Sequence, residues 1–198
     1  MRKFSKIESE LLLKEELTVG IDEVGRGSLI GPVVACAFQL DSIIRNIELN
    51  DSKMLSENKR ISKVLELLIN NSVFALGYSS NQEIDEINIL NATKLAMKRA
   101  VKNLNAKPAT LLIDGNHDIG TGLKEICIIK GDKTCKSIAA ASIIAKFTRD
   151  FILKKISRIY PYYRLEKNKG YGTQEHVDSL RKYGPSPFHR KTFRIKQN

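Results

Sequence analysis

Apolar runs and helical stripes alternate along this chain. Leu17–Glu23 and Val33–Leu40 are short, nearly continuous apolar runs, which read as buried strands. Between them lies Gly25-Arg26-Gly27-Ser28-Leu29-Ile30-Gly31-Pro32, rich in turn residues, so an antiparallel pair is expected. Asn50–Ser56 is polar, and Ser56 can cap a helix running to about Asn71. Its apolar stripe is expected to be Ile61, Val64, Leu65 and Leu68. Ser72–Ser80 reads as a third strand, Asn81–Ile84 as the start of a short helix, and Leu90–Leu104 as a longer one. Pro108 breaks the chain before two more strands, Ala109–Asp114 and Ile126–Ile129. Lys130-Gly131-Asp132 follows, and then a long helix from about Ser137 to Tyr160. Ile144, Phe147, Phe151, Ile152, Ile156 and Ile159 are its expected apolar face, and Pro161 stops it. A loop over 168–173 leads into a last helix ending near Tyr183. Strands that come first as a meander and then alternate with helices predict an α/β fold. The expectation is a mixed five-stranded sheet flanked by helices. Residues 1–160 would form the core, and 161–198 a basic helical extension packed on it as one structural unit.

Composition narrows the class. A chain of 198 residues with 42% hydrophobic and 28% charged residues can bury a core, which excludes a disordered chain. No apolar run approaches the roughly 20 residues that cross a bilayer; Ile138–Ala145 is the longest weakly polar stretch. The first residues lack the apolar region and cleavage site of a secretory signal. Cys36, Cys127 and Cys135 form no Cys-x-x-Cys, so reduced thiols in a cytoplasm are expected. A monomer is expected, since nothing demands a dimer.

Charge is unevenly spread. The net charge is +11, yet residues 146–198 hold 14 basic and 4 acidic residues, against 19 and 18 before them. Such asymmetry points to a polyanion-binding surface, with a plain solvated tail as the alternative. Tyr160, Tyr162, Tyr163, Tyr171, Tyr183, Phe188 and Phe193 lie in the same region, and rings suit base and sugar contacts.

Four acids stand at strand ends. Asp22 and Glu23 end the first strand, Asp114 the fourth, and Asp132 follows the fifth. Strand ends in open α/β sheets converge on clefts, and converging carboxylates repel one another. Mg²⁺ or Mn²⁺ takes oxygen ligands and relieves that repulsion, and two such ions suit phosphodiester hydrolysis. Taken singly, each acid also fits a turn, as in Asp114-Gly115 and Gly131-Asp132. Neighbouring strand residues face opposite ways, so Asp22 and Glu23 share a site only where the strand twists or ends.

The motifs go further. Gly20-Ile21-Asp22-Glu23-Val24-Gly25-Arg26-Gly27, continued by Gly31-Pro32-Val33-Val34, resembles the opening signature of type 2 ribonuclease H, specifically ribonuclease HII. Asn50–Lys53 with Leu55-Ser56, Ile84–Leu90 with Ala92-Thr93, Ile113–Asn116, Lys130–Asp132 and Ile138–Lys146 with Thr148–Asp150 resemble its further blocks, in order. Lys169-Gly170-Tyr171, Thr173, His176, His189-Arg190 and Phe193 close the series. The resemblance covers about residues 17 to 195. Ribonuclease HIII shares the carboxylates, but it differs in the glycine block and carries an added N-terminal domain.

The resemblance implies a ribonuclease-H-like fold. It implies cutting of the RNA strand in RNA–DNA hybrids and nicking 5′ of single ribonucleotides in duplex DNA, using Mg²⁺ or Mn²⁺. A 5′-phosphate and a 3′-hydroxyl would result, and the role would be ribonucleotide removal in replication and repair. Asp22, Glu23, Asp114 and Asp132 match the family's catalytic, metal-binding carboxylates. Gly25, Arg26 and Gly27 match the segment that reads the 2′-hydroxyl, and Tyr171 the ring that packs on the sugar. Lys53 and Lys146 fall in blocks associated with the phosphate backbone. Glycines suit the role because no Cβ blocks backbone approach, and the 2′-hydroxyl is what separates RNA from DNA. Arg26 can instead be a structural salt-bridge partner, Tyr171 core, and the two lysines ordinary solvated ones.

Three positions depart from the pattern: Asn168 where His is common, Gly172 where Pro is common, and Met54 where Lys is frequent. Ile195–Asn198 fits either a flexible tail or a docking peptide for a replication clamp, and its motif is too weak to choose between them. Two rival readings stay open at this point. One is a basic nucleic-acid-binding protein without catalysis, and the other is a different metal nuclease of the same fold, such as a junction resolvase.

Overall fold

The computed structural model describes residues 4–42, 44, 47, 49 and 56–193. Its strands are β1 (Thr18–Val24), β2 (Val33–Gln39), β3 (Phe74–Ser79), β4 (Thr110–Asp114) and β5 (Lys124–Ile128). They form one sheet in the order β3-β2-β1-β4-β5. β1 and β2 are antiparallel, as the turn-rich 25–32 segment predicts; β2 is also antiparallel to β3, while β1, β4 and β5 run parallel. The helices are α1 (Lys6–Leu13), α2 (Glu57–Ile69), α3 (Asn81–Asn103), α4 (Gly131–Thr134), α5 (Lys136–Ile159), α6 (Leu165–Asn168) and α7 (Gln174–Tyr183). This is the expected α/β fold.

Strand alternation divides the core between two faces. Val19, Ile21, Val33, Ala35, Ala37, Leu111 and Ile113 pack with Ile84, Ala92, Ala96, Met97 and Ala100 of α3. Cys36 and Phe38 point the other way, to Val64 and Leu67 of α2 and Ala139–Ala145 of α5. A close backbone approach sets α5 against the sheet: a Cβ on Gly20 would lie 2.5 Å from Ile138 N. A third cluster ties Ile30 and Leu153 to Tyr163, Leu165 and Phe188.

Several expectations change. The stripe predicted for α2 is displaced: Arg60, Val64 and Leu67 are buried, while Ile61, Leu65 and Leu68 are exposed. Arg60 lies on that buried face because its guanidinium meets Asp150 of α5 at 3.1 Å, beside the core-packed Val64 and Leu67. Phe151 and Ile159 of α5 are also exposed. The short and longer helices predicted after Ser80 are joined end to end at Asn88, whose φ of 66° breaks the spiral. Its Oδ1 accepts from the N–H groups of Leu90 and Asn91 and so caps the second half. Helix α1 was not foreseen. Its fully buried Glu8 accepts from the N–H groups of Lys136 and Ser137, capping α5 from another part of the chain.

Candidate active site

The sheet parts where the acids stand. Parallel pairing of β1 with β4 ends at Ile21 and Ile113, and the next residues are Asp22 and Asp114. β1 stays paired with β2 through Val24, and β4 with β5 through Asp114. Both carboxylates therefore sit at the C-terminal ends of adjacent parallel strands, where such sheets open. Asp22 shares the α5 side with Ser142, whose side chain hydrogen-bonds it. Glu23 turns to the α3 side and lines a shallow cleft with Arg26, Thr93, Lys94, Asp114 and His117. The alternation that set Asp22 against Glu23 thus holds, and Asp114 in the parted sheet is near both.

α4 brings the fourth acid. Lys130 adopts a left-handed conformation (φ 58°) and starts α4 at Gly131. The Gly131 N–H donates to Asp114 Oδ1 at 2.6 Å, and the Asp132 N–H points to the same oxygen at 3.4 Å. A Cβ on Gly131 would lie 2.6 Å from Ile138 Cδ1 and 3.3 Å from that oxygen, so glycine permits the approach. Asp132 is buried beside it.

The electrostatics are strained. Burial, with Glu23 and Asp114 beside it, pushes the Asp22 carboxyl well above the ordinary carboxylate range, against the Ser142 hydrogen bond. Burial also raises Glu23; Arg26 pulls it down, and Asp114 adds to the rise. The Arg26–Glu23 contact is long, at 3.5 Å, and half exposed. Among the described residues, no three His, Cys, Asp or Glu side chains close around a common point as a finished cation cage. The acids are an open group of hard oxygen donors, and burial and mutual repulsion raise Asp22 and Glu23. That donor set fits a divalent cation such as Mg²⁺ or Mn²⁺.

A second group lies beside the acids. Gly25 has φ +101°, and a Cβ there would lie 2.1 Å from Arg149 Nε. A Cβ on Gly27 would lie 3.8 Å from Tyr171 Cε1, so the ring stands next to the glycine segment, partly exposed. The two segments touch again where Leu29 N–H donates to the Gly170 carbonyl at 2.8 Å. Asn168 shapes that turn: its Nδ2 donates to the Tyr163 carbonyl, and its Oδ1 accepts from Gly170 N–H. The departure at Asn168 therefore keeps a structured loop.

Not every candidate faces this cleft. Lys146 is mostly buried and pairs with Asp150, which also holds Arg60. Burial lowers its pKa, against the pull of Asp150. Lys53 and Met54 lie outside the described residues, as does Ile195–Asn198.

Comparison with known proteins now decides the family. The sequence profile described as Ribonuclease HII matches residues 19–196. A ribonuclease HII from Macrococcus caseolyticus is 49% identical over 187 residues, covering 94% of this chain and 70% of the relative. The chain belongs to the ribonuclease HII family. It is a ribonuclease H, a hydrolase that cuts within a nucleic-acid strand. Solved folds agree. The ribonuclease H2 of Pyrococcus horikoshii superposes with a TM-score of 0.75 at 29% identity, over 90% of this chain and 94% of the other. The ribonuclease HII of Archaeoglobus fulgidus, solved in a PCNA complex, gives 0.79 at 23%, over 92% and 97%. Bst-RNase HIII, solved with Mn²⁺, gives 0.69 at 20%, over 85% and 63%. No described helix is long and apolar enough to cross a membrane.

Residues that the sequence alone left without a role stand around the candidate site. Ser142 is a lone hydroxyl in the apolar run Ile138–Ala145, a signal available in advance. Arg149, Arg190, His176 and His189 were visible only as motif members. They are buried behind the glycine segment and Tyr171.

Proposed function

We propose that this chain cuts the RNA strand of RNA–DNA hybrids and nicks duplex DNA on the 5′ side of a single embedded ribonucleotide. The products are a 3′-hydroxyl and a 5′-phosphate. One observation carries this reading: the acids at the parted strand ends adjoin a glycine segment that faces Tyr171.

Asp22, Glu23, Asp114 and Asp132 are the residues that would hold the cations. When bound, Mg²⁺ or Mn²⁺ supplies an activated water and stabilises the leaving oxygen. Ser142 orients the Asp22 carboxylate, and the Gly131 N–H orients that of Asp114. Gly25, Arg26 and Gly27 present main chain to the minor groove and hydrogen-bond the 2′-hydroxyl. The Tyr171 ring packs on the sugar. In this reading the 2′-hydroxyl serves recognition, not attack. Lys53 adds affinity for the phosphate backbone. Lys146 acts there only through its link to Asp150. The 161–193 stretch acts as an extension that carries Tyr171 to a core built from 1–160, and the enzyme works as a cytoplasmic monomer. Its role is ribonucleotide removal during replication and repair. The tail beyond 193 is the segment to test for a clamp contact.

The test is an end-labelled DNA duplex with one ribonucleotide, incubated with and without Mg²⁺ or Mn²⁺, with the cut mapped. A metal-dependent nick 5′ of the ribonucleotide is expected. Cutting of long hybrids alone would overturn the single-ribonucleotide reading.

A further inference from the structure

Gly25–Gly27 and Tyr171 are far apart in sequence, yet a ribose reader needs them at fixed separation. Two adjacent buried residues stand behind both. The Arg190 guanidinium donates to the carbonyls of Gly25 at 2.7 Å, Arg26 at 2.8 Å and Gly31 at 2.9 Å. The Phe193 ring lies 4.9 Å from it. These bonds end on main chain of the glycine segment, and the planar guanidinium fork is what spans them.

His189 serves the other side. The Ser186 N–H donates to His189 Nδ1 at 2.9 Å, which makes that nitrogen an acceptor and Nε2 the bearer of the proton. His189 Nε2–H then donates to His176 Nε2 at 3.1 Å. His176 Nδ1–H donates in turn to the Tyr171 carbonyl at 3.0 Å. A donor of fixed identity begins this string and an acceptor of fixed identity ends it, so both tautomers are set. Thr173 N–H shares the Tyr171 carbonyl at 2.8 Å. The backbone joins the two sides: Arg190 N–H donates to the Leu29 carbonyl, and Gly31 N–H to that of Phe188.

We propose that His189 and Arg190 are positioning residues that lock Gly25–Gly27 and Tyr171 into one rigid ribose-reading surface. This rests on the ribose-reading role proposed above. Neither residue touches the substrate; each acts through the main chain of those that do.

The test measures each variant's dissociation constants for the single-ribonucleotide duplex and for the same duplex with deoxyribose at that position. Ca²⁺ replaces Mg²⁺ to suppress cutting, and salt is held fixed. The ratio of the two constants is the readout, because partial unfolding scales both equally. Arg190→Lys keeps the charge but loses the fork, and His189→Leu loses the donor to His176. Both are expected to shrink the ratio by about tenfold or more, the scale of a misplaced recognition group. His189→Gln can place its amide Nε2 where the ring nitrogen donates, so it is expected to keep the ratio within about twofold. Both His189 variants lose the Ser186 bond and some stability, so only the string to Tyr171 separates them. An unchanged ratio in folded Arg190→Lys and His189→Leu would overturn the proposal. Should Arg190→Lys fail to fold, the two His189 variants decide alone. A wild-type ratio of one would overturn the ribose-reading role itself, and the proposal with it.

Discussion

At the parted strand ends, buried Asp22 and half-buried Glu23 lie near Asp114, and both desolvation and repulsion raise their proton affinity. Behind the glycine segment, Arg149 and Arg190 are as deeply buried, yet their guanidinium groups each reach three main-chain carbonyls. In one region buried acids repel one another, and in the other buried guanidinium groups are matched to main-chain carbonyls inside the fold. On the function proposed above, the difference separates two tasks. A cation site must keep its oxygens under tension until the cation arrives, whereas a shape reader must be finished beforehand.

The most severe break in the comparison is Asp132→Asn. Removing one carboxylate from a divalent site is expected to lower kcat about 10³-fold, several kcal/mol of transition-state stabilisation. The reader should be untouched, so the ratio of binding to ribonucleotide and all-deoxy duplexes in Ca²⁺ should hold. Near-wild-type cutting would remove Asp132 from the site.

Two glycine substitutions sharpen the reader side. Gly25→Ala must place a Cβ 2.1 Å from Arg149 Nε at a φ of +101°, and Arg149 is held by the carbonyls of Ile30, Pro32 and Lys169. It is expected to cost about 2–3 kcal/mol, read as a lower urea midpoint. Gly27→Ala meets only Tyr171 Cε1 at 3.8 Å. Its stability should stay within about 0.5 kcal/mol, while kcat/KM on the ribonucleotide duplex falls about tenfold because a methyl stands in the path of the sugar. Equal stability losses in the two variants would refute this separation.

These contrasts bear on what the chain reveals before folding. Strands and acids were legible because apolar runs ending in a carboxylate conflict with burial, and such conflict marks function. The basic C-terminal region was misleading in part. Its excess charge reads as surface, but Arg149 and Arg190 are buried against carbonyls, and Lys146 is mostly buried against Asp150. Whether a cation faces solvent or main chain depends on contacts across more than 100 residues, such as Arg190 to Gly25 at 2.7 Å. Local pattern holds no trace of the contacts of Arg149 and Arg190, whereas Lys146 and Asp150 stand four residues apart on one helix and their pairing is local. Glu8 and Arg60 were illegible for the same reason, since each is buried only because a distant partner meets it.

Proton linkage gives the smallest effect, with opposite signs in the two regions. Asp22 binds its proton more readily folded than unfolded, so its contribution to stability falls as pH rises past the ordinary carboxylate range. Burial, with His176 beside it, takes His189 from 6.5 down to about 4. The unfolded chain binds more protons between those values, so this contribution is whole above 6.5 and is lost as pH falls toward 4. His176, the Tyr163 ring and the adjacent Arg190 are the groups around it. Thermal unfolding in EDTA from pH 4 to 8 checks both signs. Asp22→Asn is expected to raise Tm at pH 8 by about 2–4 °C, the response to about 1 kcal/mol in a chain of this size, with the gain shrinking on acidification. His189→Gln is expected to lower Tm at pH 8 and to flatten the fall between pH 6.5 and 4. A drop in Tm for Asp22→Asn at pH 8 would mean that the strand-end acids are matched within the fold after all, and the contrast between the two regions would be gone.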